Sequence, residues 1–184
     1  MKNKAIFLDR DGTINIDKDY VYKISDFEFI DGAIEGLKKL QELGYLLIVI
    51  SNQSGIGRGY YNKEQADILF NYMKNELNKN GVHISEMYYC PHYNEDCECR
   101  KPKLGLFYQA QREFNIDFSK SYAIGDKLRD IAISEVEHVK GILLDSQNNQ
   151  INRYNNNANI IVCNNLLDAA NIIERNEVYG NSKS

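Results

Sequence analysis

The segment Ala5-Ile6-Phe7-Leu8-Asp9-Arg10-Asp11-Gly12-Thr13 begins with an apolar run and ends in two carboxylates, a glycine and a hydroxyl. This pattern predicts a buried strand that delivers acids at its C-terminal edge. Open parallel α/β sheets bind ligands in the crevice beyond the carboxyl ends of their strands, so Asp9 and Asp11 are expected in the mouth of such a crevice. Residues two apart in an extended chain project to the same side, which brings the two carboxylates together. Like charges that close need a cation or a shared proton.

Mg²⁺ relieves such repulsion, because it takes hard oxygen ligands and keeps waters and phosphate oxygens in its shell. The pair is therefore suited to phosphoryl chemistry, with one carboxylate attacking phosphorus and the other moving a proton. On these two acids alone an ordinary acidic turn explains the pattern equally well.

The chain around this segment reads as alternating strands and helices. Ala33, Ile34, Leu37, Leu40 and Leu43 follow helical spacing, with Asp31 as the expected N-cap and Gly44 at the stop. Tyr45 to Ile50 is a strand-length apolar run that ends in Ser51-Asn52-Gln53-Ser54-Gly55, polar groups placed to donate to a phosphoryl group or simply loop residues. The glycines of residues 54–59 fit neither a dinucleotide fingerprint nor a P-loop. Ala66, Leu69, Phe70, Met73 and Leu77 mark an amphipathic helix closed by Asn80-Gly81, and Glu86 to Tyr89 a further strand. Leu104 to Phe114 predicts a helix, and Tyr122 to Ile124 a short strand ending at Asp126, a third acid at a third strand end. Asp126 and Asp130 are expected to flank the start of a helix towards Val136, Asp126 near a metal or as an N-cap and Asp130 in support. Gly141 to Leu144 and Asn159 to Val162 read as strands, and Leu166 to Ile173 as a closing helix. Gln147 to Asn157 reads as an exposed loop without chemistry. One domain over residues 1–175 and a flexible tail over 176–184 are expected.

Composition narrows the function classes. The 184 residues are 43% hydrophobic and 26% charged, enough for one globular core. A net charge of −4 and a pI near 5.4 argue against a nucleic-acid surface. No apolar run approaches the roughly 20 residues of a membrane span, and the N-terminus has no signal-peptide pattern, so the expected location is the cytoplasm and the expected partner a small molecule, with no membrane.

Cys90, His92, Cys97 and Cys99 form a CxHx4CxC cluster. Three thiolates and an imidazole complete a tetrahedral Zn²⁺ shell and leave no open position, as in a structural site; free cysteines or a redox pair would leave His92 unexplained. Arg100 and Lys101 follow directly and would bring two cations to the acidic crevice, whereas Lys103 reads as solvated surface charge. Cys163 stands apart and reads as a small buried hydrophobe.

Together DRDGTIN (9–15), SNQSGIGRG (51–59), CPHYNEDCECRKP (90–102) and GDKLRD (125–130) resemble the D-glycero-D-manno-heptose-1,7-bisphosphate 7-phosphatases, a nearly capless branch of the haloacid dehalogenase superfamily. The resemblance covers roughly residues 4 to 145, and the zinc loop running into RKP is its most specific element. It implies a doubly wound, mainly parallel α/β sheet of Rossmann-like type. It also implies a Mg²⁺-dependent phosphomonoesterase that forms an aspartyl-phosphate in nucleotide-heptose biosynthesis. By the same resemblance Asp9 is the nucleophile, Asp11 the general acid/base, and Mg²⁺ is held by Asp9, the main-chain carbonyl of Asp11 and Asp126. Ser51 and Lys101 stabilise the phosphoryl group. Asp17, Lys18, Asp19, Tyr20, Asn52, Gln53, Ser54, Arg100 and Lys127 contact substrate. Cys90, His92, Cys97 and Cys99 hold zinc, and the chain is expected to be a monomer. Histidinol-phosphate phosphatase, with the same first motif and a similar zinc loop, is the nearest alternative. A zinc-stabilised binding module without catalysis is the alternative of another class.

Overall fold

The computed structural model describes residues 2–93, 96–145 and 160–180. Its centre is a parallel sheet in the order β3-β2-β1-β4-β5-β6, formed by β1 (Ala5–Leu8), β2 (Leu46–Asn52), β3 (Glu86–Cys90), β4 (Tyr122–Gly125), β5 (Lys140–Leu144) and β6 (Ile160–Cys163). Parallel pairing requires crossovers, and the helices that make them cover both faces.

Alternation within each strand feeds two separate cores. Ile6 and Leu8 of β1 join Leu47 and Val49 of β2 and Ile124 of β4 on one face, against α1 (Ala33–Glu42), α3 (Lys63–Lys79) and α6 (Leu166–Gly180). Ala5 and Phe7 join Ile48, Ile50, Ala123 and Leu143 on the other, against α4 (Gly105–Phe114) and the short α5 (Ile133–Val136). Phe7 meets Phe107 of α4 edge-on at 5.2 Å. The main β strands expected from the apolar runs are therefore present; β1, β2, β4 and β5 are buried on both faces, and the edge strands β3 and β6 are partly buried.

The strand order reverses between β1 and β4: the chain leaves β1 towards β2 and β3, then returns to build outward from β4. A crevice opens at such a switch point, beyond the strands' carboxyl ends. Asp9 sits there, its N–H donating to Ile124 O at 3.0 Å.

Several boundaries differ from the sequence expectation. Gly32, in a left-handed conformation with φ 78°, precedes α1 in place of an Asp31 cap. Residues 54–57, read as loop, form a short helix, α2 (Ser54–Gly57). The continuous helix expected after Asp126 is instead a 3-10 turn over Leu128–Asp130 followed by α5, because Asp130 Oδ2 accepts from Lys127 N at 3.0 Å and closes the turn early. The last helix runs past Ile173 to Gly180, through part of the expected tail. Glu177 holds it there, pairing with Lys4 at 3.0 Å and accepting from Tyr45 Oη at 2.5 Å. The expected loop 147–157 lies outside the described residues. Among the described residues no helix is long and apolar enough to cross a membrane.

Helices α1 and α6 approach so closely at Gly36 that a Cβ there would lie 2.7 Å from the Leu166 carbonyl. Gly36→Ala is expected to lower unfolding stability by about 1–3 kcal/mol through overpacking, measured by urea denaturation. An unchanged midpoint would mean that α6 yields at no cost.

Candidate active site

The loop leaving β1 is built to hold its acids still. Arg10 O accepts from the N–H groups of Thr13, Ile14 and Asn15 at 3.3, 2.8 and 3.1 Å, which curls residues 10–15 into a tight turn. Gly12 lies in that turn at φ 81°, and a Cβ there would come within 2.4 Å of Asp126 Oδ2. Glycine is thus required both by the backbone angle and by the approach of the third acid.

Asp11 is gripped by three donors. Arg10 Nη2 reaches its Oδ1 at 2.7 Å, Asn15 Nδ2 the same oxygen at 3.0 Å, and Gln53 Nε2 its Oδ2 at 3.2 Å. Arg10 itself is 1% exposed, donates to Val21 O at 2.7 Å and lies over the Phe70 ring at 5.0 Å.

Asp9 is held from the other side by Lys101, whose Nζ lies 2.6 Å from Asp9 Oδ1 and 2.8 Å from Asp130 Oδ1 and also donates to Ile50 O at 2.5 Å. Lys101 is 2% exposed. Burial alone would lower its pKa, but the charges of Asp9 and Asp130 outweigh that and raise it, so it stays an ammonium. For Asp9 burial dominates: it pushes the carboxyl up to about 7 despite Lys101, with Asp130 and Asp11 adding to the rise. Asp126 is raised too, first by burial and then, against the pull of Lys127, by Asp130.

This cluster has more negative charge than its cations balance. Carboxylate oxygens of Asp9, Asp126 and Asp130 lie within 4.8 Å of one another, and Asp126 Oδ1 is buried with no hydrogen-bond partner. Such an orphaned oxygen, in an all-oxygen set at a cleft floor, fits a hard divalent cation such as Mg²⁺. Asp130 already spends one oxygen on Lys101 and the other on the Lys127 N–H, so Asp9 and Asp126 are the side chains left to hold it.

Cys90, His92, Cys97 and Cys99 come together at the end of β3. Sγ of Cys90 lies 3.0 Å from Cys99 and 3.7 Å from Cys97, and His92 Nδ1 lies 3.4 and 3.2 Å from Cys90 and Cys99. The sulfurs are too far apart for a disulfide, about 2.05 Å, and the Cys90–Cys97 separation is near the roughly 3.8 Å edge of a tetrahedron with metal–sulfur bonds of about 2.3 Å. The donor set suits Zn²⁺. Cys163 lies elsewhere, buried, as expected.

The zinc-type loop is tied to the end of β2 by Asn52. Its amide donates to Lys101 O at 3.0 Å and accepts from Lys101 N at 3.0 Å, so one side chain satisfies both backbone groups of the residue that reaches Asp9. Arg100 points the other way, towards the cleft, with Nη1 on His92 O at 2.9 Å. Lys103 is exposed and pairs with Asp96 at 2.8 Å.

Asp9 and Asp11 form part of the wall of a cleft of about 400 Å³, within the ~300–1,000 Å³ of small-molecule sites. Asp17, Asp19, Tyr20, Asn52, Gln53, Ser54, Arg100 and Lys127 line it as well. Lys127 bridges Asp17 and Asp126 at 3.1 and 3.2 Å, which raises its pKa against the effect of burial. Ser51 lies just beneath, 1% exposed. Lys18, expected to contact substrate, does not line the cleft: it pairs with Glu28 at 2.9 Å on the surface, and the left-handed turn at Asp19 and Tyr20 brings their side chains inward instead. Arg58, Tyr61 and Arg129 also line the cleft and were missed by sequence reasoning. Arg58 lies 3.3 Å from the Tyr93 ring centroid, tying α2 to the zinc-type loop. Its position after the β2 end was the available signal. A larger hollow of about 660 Å³ opens at the opposite ends of the strands, but among its described lining residues Glu177 is the one acid and is already paired with Lys4, so size alone does not locate the chemistry.

Residues 4–165 match the family described as polynucleotide kinase 3 phosphatase. The chain is 45% identical over 176 residues to D-glycero-beta-D-manno-heptose-1,7-bisphosphate 7-phosphatase of Haemophilus ducreyi, covering 91% of this chain and 97% of that one. It is 40% identical over 181 residues to the D-glycero-alpha-D-manno-heptose-1,7-bisphosphate 7-phosphatase of Photorhabdus laumondii, covering 94% and 98%. Among solved structures, the D,D-heptose 1,7-bisphosphate phosphatase of B. bronchiseptica, complexed with magnesium and phosphate, superimposes with a TM-score of 0.84 at 26% identity over 94% of this chain and 98% of that one.

Replacing Asn52 by Ala strands the N–H and C=O of Lys101 in a partly buried loop. The variant is expected to lose about 1–3 kcal/mol of unfolding free energy, read by denaturant titration. Stability equal to the parent would show that the amide is dispensable to the Lys101 loop.

Proposed function

The chain belongs to the heptose-1,7-bisphosphate 7-phosphatase family of the haloacid dehalogenase superfamily, and we propose that it hydrolyses the C7 phosphate of D-glycero-D-manno-heptose 1,7-bisphosphate with Asp9 as nucleophile and Mg²⁺ as cofactor. The observation that carries this reading is the buried Lys101 ammonium on Asp9, beside an Asp11 held by three donors in the same cleft. A binding module needs no buried cation poised on one of two adjacent carboxylates.

In the first step a carboxylate oxygen of Asp9 attacks phosphorus and the bond from phosphorus to the sugar C7 oxygen breaks. Asp11, having taken up a proton as the substrate enters, gives it to that leaving oxygen. In the second step Asp11 takes a proton from water, whose oxygen attacks the same phosphorus and releases inorganic phosphate with Asp9 restored. Lys101 and the Ser51 hydroxyl stabilise charge on the phosphoryl oxygens, and Arg100 faces the remainder of the substrate. Asp9, the main-chain carbonyl of Asp11 and Asp126 would hold Mg²⁺, which would supply positive charge against which the phosphate dianion could approach. Cys90, His92, Cys97 and Cys99 would hold zinc, which would fix the loop that carries Arg100 and Lys101. Three thiolates leave such a site with net negative charge, so it acts by position and not by attracting phosphate.

Phosphate release is to be compared on the α- and β-anomers of the bisphosphate, histidinol phosphate and an aryl phosphate. Turnover should favour a heptose bisphosphate, vanish on chelation and return with added Mg²⁺. Asp9→Asn should reduce kcat by roughly a thousandfold or more while the fold is kept. Preference for histidinol phosphate, or full activity of Asp9→Asn, would overturn the assignment.

Zinc makes a separate expectation. Cys97→Ala should lower both bound zinc and melting temperature, because binding and folding of a loop without its own apolar core are linked. A variant that lost zinc yet melted and turned over like the parent would remove the scaffold role.

A further inference from the structure

Beside Asp11 a hydrogen-bond chain runs along the wall of the cleft. Gln53 Nε2 donates to Ser51 Oγ at 2.8 Å and to Asp11 Oδ2 at 3.2 Å, while Gln53 Oε1 accepts from Tyr61 Oη at 2.6 Å. Gln53 is 2% exposed and Tyr61 5%, so water competes little for these groups.

An amide has two chemically different ends, and here each end has one compatible set of partners. The flipped amide would set Oε1 against the Asp11 carboxylate, acceptor on acceptor. In the observed orientation both Nε2 protons are used, and the remaining demand is a donor for Oε1. Tyr61 supplies it as a neutral phenol, since burial pushes its pKa up to about 12. Ser51 Oγ then accepts from Gln53, which leaves its own proton to donate.

The Tyr61 ring is independently anchored. It stacks on Tyr22 with centroids 4.9 Å apart and planes 10° from parallel, and it packs over Gly55, where a Cβ would fall 2.1 Å from Tyr61 Cε1. The hydroxyl is thus carried on a ring whose position does not depend on the hydrogen bond.

We propose that Tyr61 is a positioning residue for phosphoryl transfer: its hydroxyl fixes the Gln53 amide so that Ser51 presents its proton to the substrate phosphate and Asp11 keeps its seat. This rests on the phosphatase reading above, and it makes Tyr61 act only through Gln53.

Tyr61→Phe removes the hydroxyl and keeps the ring. Measured on the bisphosphate that the parent turns over, kcat is expected to fall about tenfold, as for one hydrogen bond that matters in the transition state, with KM and melting temperature nearly unchanged. In a Gln53→Ala background the same substitution should cost nothing further. Parent-like kcat in Tyr61→Phe, or an equal loss in both backgrounds, would overturn the proposal. A readout free of activity separates this from failure of the phosphatase assignment. The Gln53 side-chain amide protons, identified in NMR spectra by their loss in Gln53→Ala, should be well dispersed in the parent and collapse towards free-amide positions in Tyr61→Phe. Unchanged dispersion would overturn the proposal even if the parent hydrolysed none of the phosphates.

Discussion

The buried ammonium of Lys101, shared by Asp9 and Asp130, is the interaction on which the site's geometry depends. It joins three parts of the chain: the end of β1, the turn after β4, and the loop that leaves the cysteine cluster. Removing one partner of a buried pair leaves the other charge stranded, typically at about 3–5 kcal/mol, so the three parts are constrained to move as one. Asp130, which sequence reasoning left as a general support for Asp126, has its role here. It takes Lys101 on one oxygen and the Lys127 N–H on the other, and so aligns the ammonium with the Asp9 carboxylate.

Charge bookkeeping around that ammonium explains the rest of the cleft floor. Asp11 is neutralised locally by Arg10 and by two amide donors, which leaves Asp9 and Asp126 with too little positive charge near them. A divalent cation, as proposed, would meet that deficit and let a phosphate approach. Further out Lys127 is paired with Asp17 and Asp126, and Arg58, Arg100 and Arg129 outnumber Asp19, so the cleft suits a ligand with negative charge at more than one point. The heptose bisphosphate proposed as substrate has that character.

Lys101 is brought to its place by a loop with few apolar side chains of its own. The cysteine cluster, the mutual hydrogen bonds between Asn52 and Lys101, and the Arg58 stack on Tyr93 replace a core in fixing it. Arg100 and Lys101 are adjacent yet diverge, one to the cleft and one down to Asp9, because the backbone of Lys101 is pinned while its neighbour bonds back to His92 O. Rigid support for a reacting group is most effective when it comes from such neighbours and not from the group itself.

Much of this was legible before any coordinates. The apolar runs ending in Asp9, Ser51 and Asp126, and the close spacing of Cys90, His92, Cys97 and Cys99, are local patterns, and local spacing follows directly from strand and loop geometry. They determined the parallel α/β sheet, the cleft at its carboxyl edge and the two candidate metal sets. Tertiary structure alone decided the partnership of Asp130 with Lys101, the bond from Tyr61 to Gln53, the outward turn of Lys18 and the continuation of α6 to meet Lys4. The contact between Lys101 and Asp9 spans 92 residues and that between Lys4 and Glu177 spans 173. No periodicity marks either end of such a pair, because what selects it is a charge or hydroxyl finding its partner only after the sheet has closed.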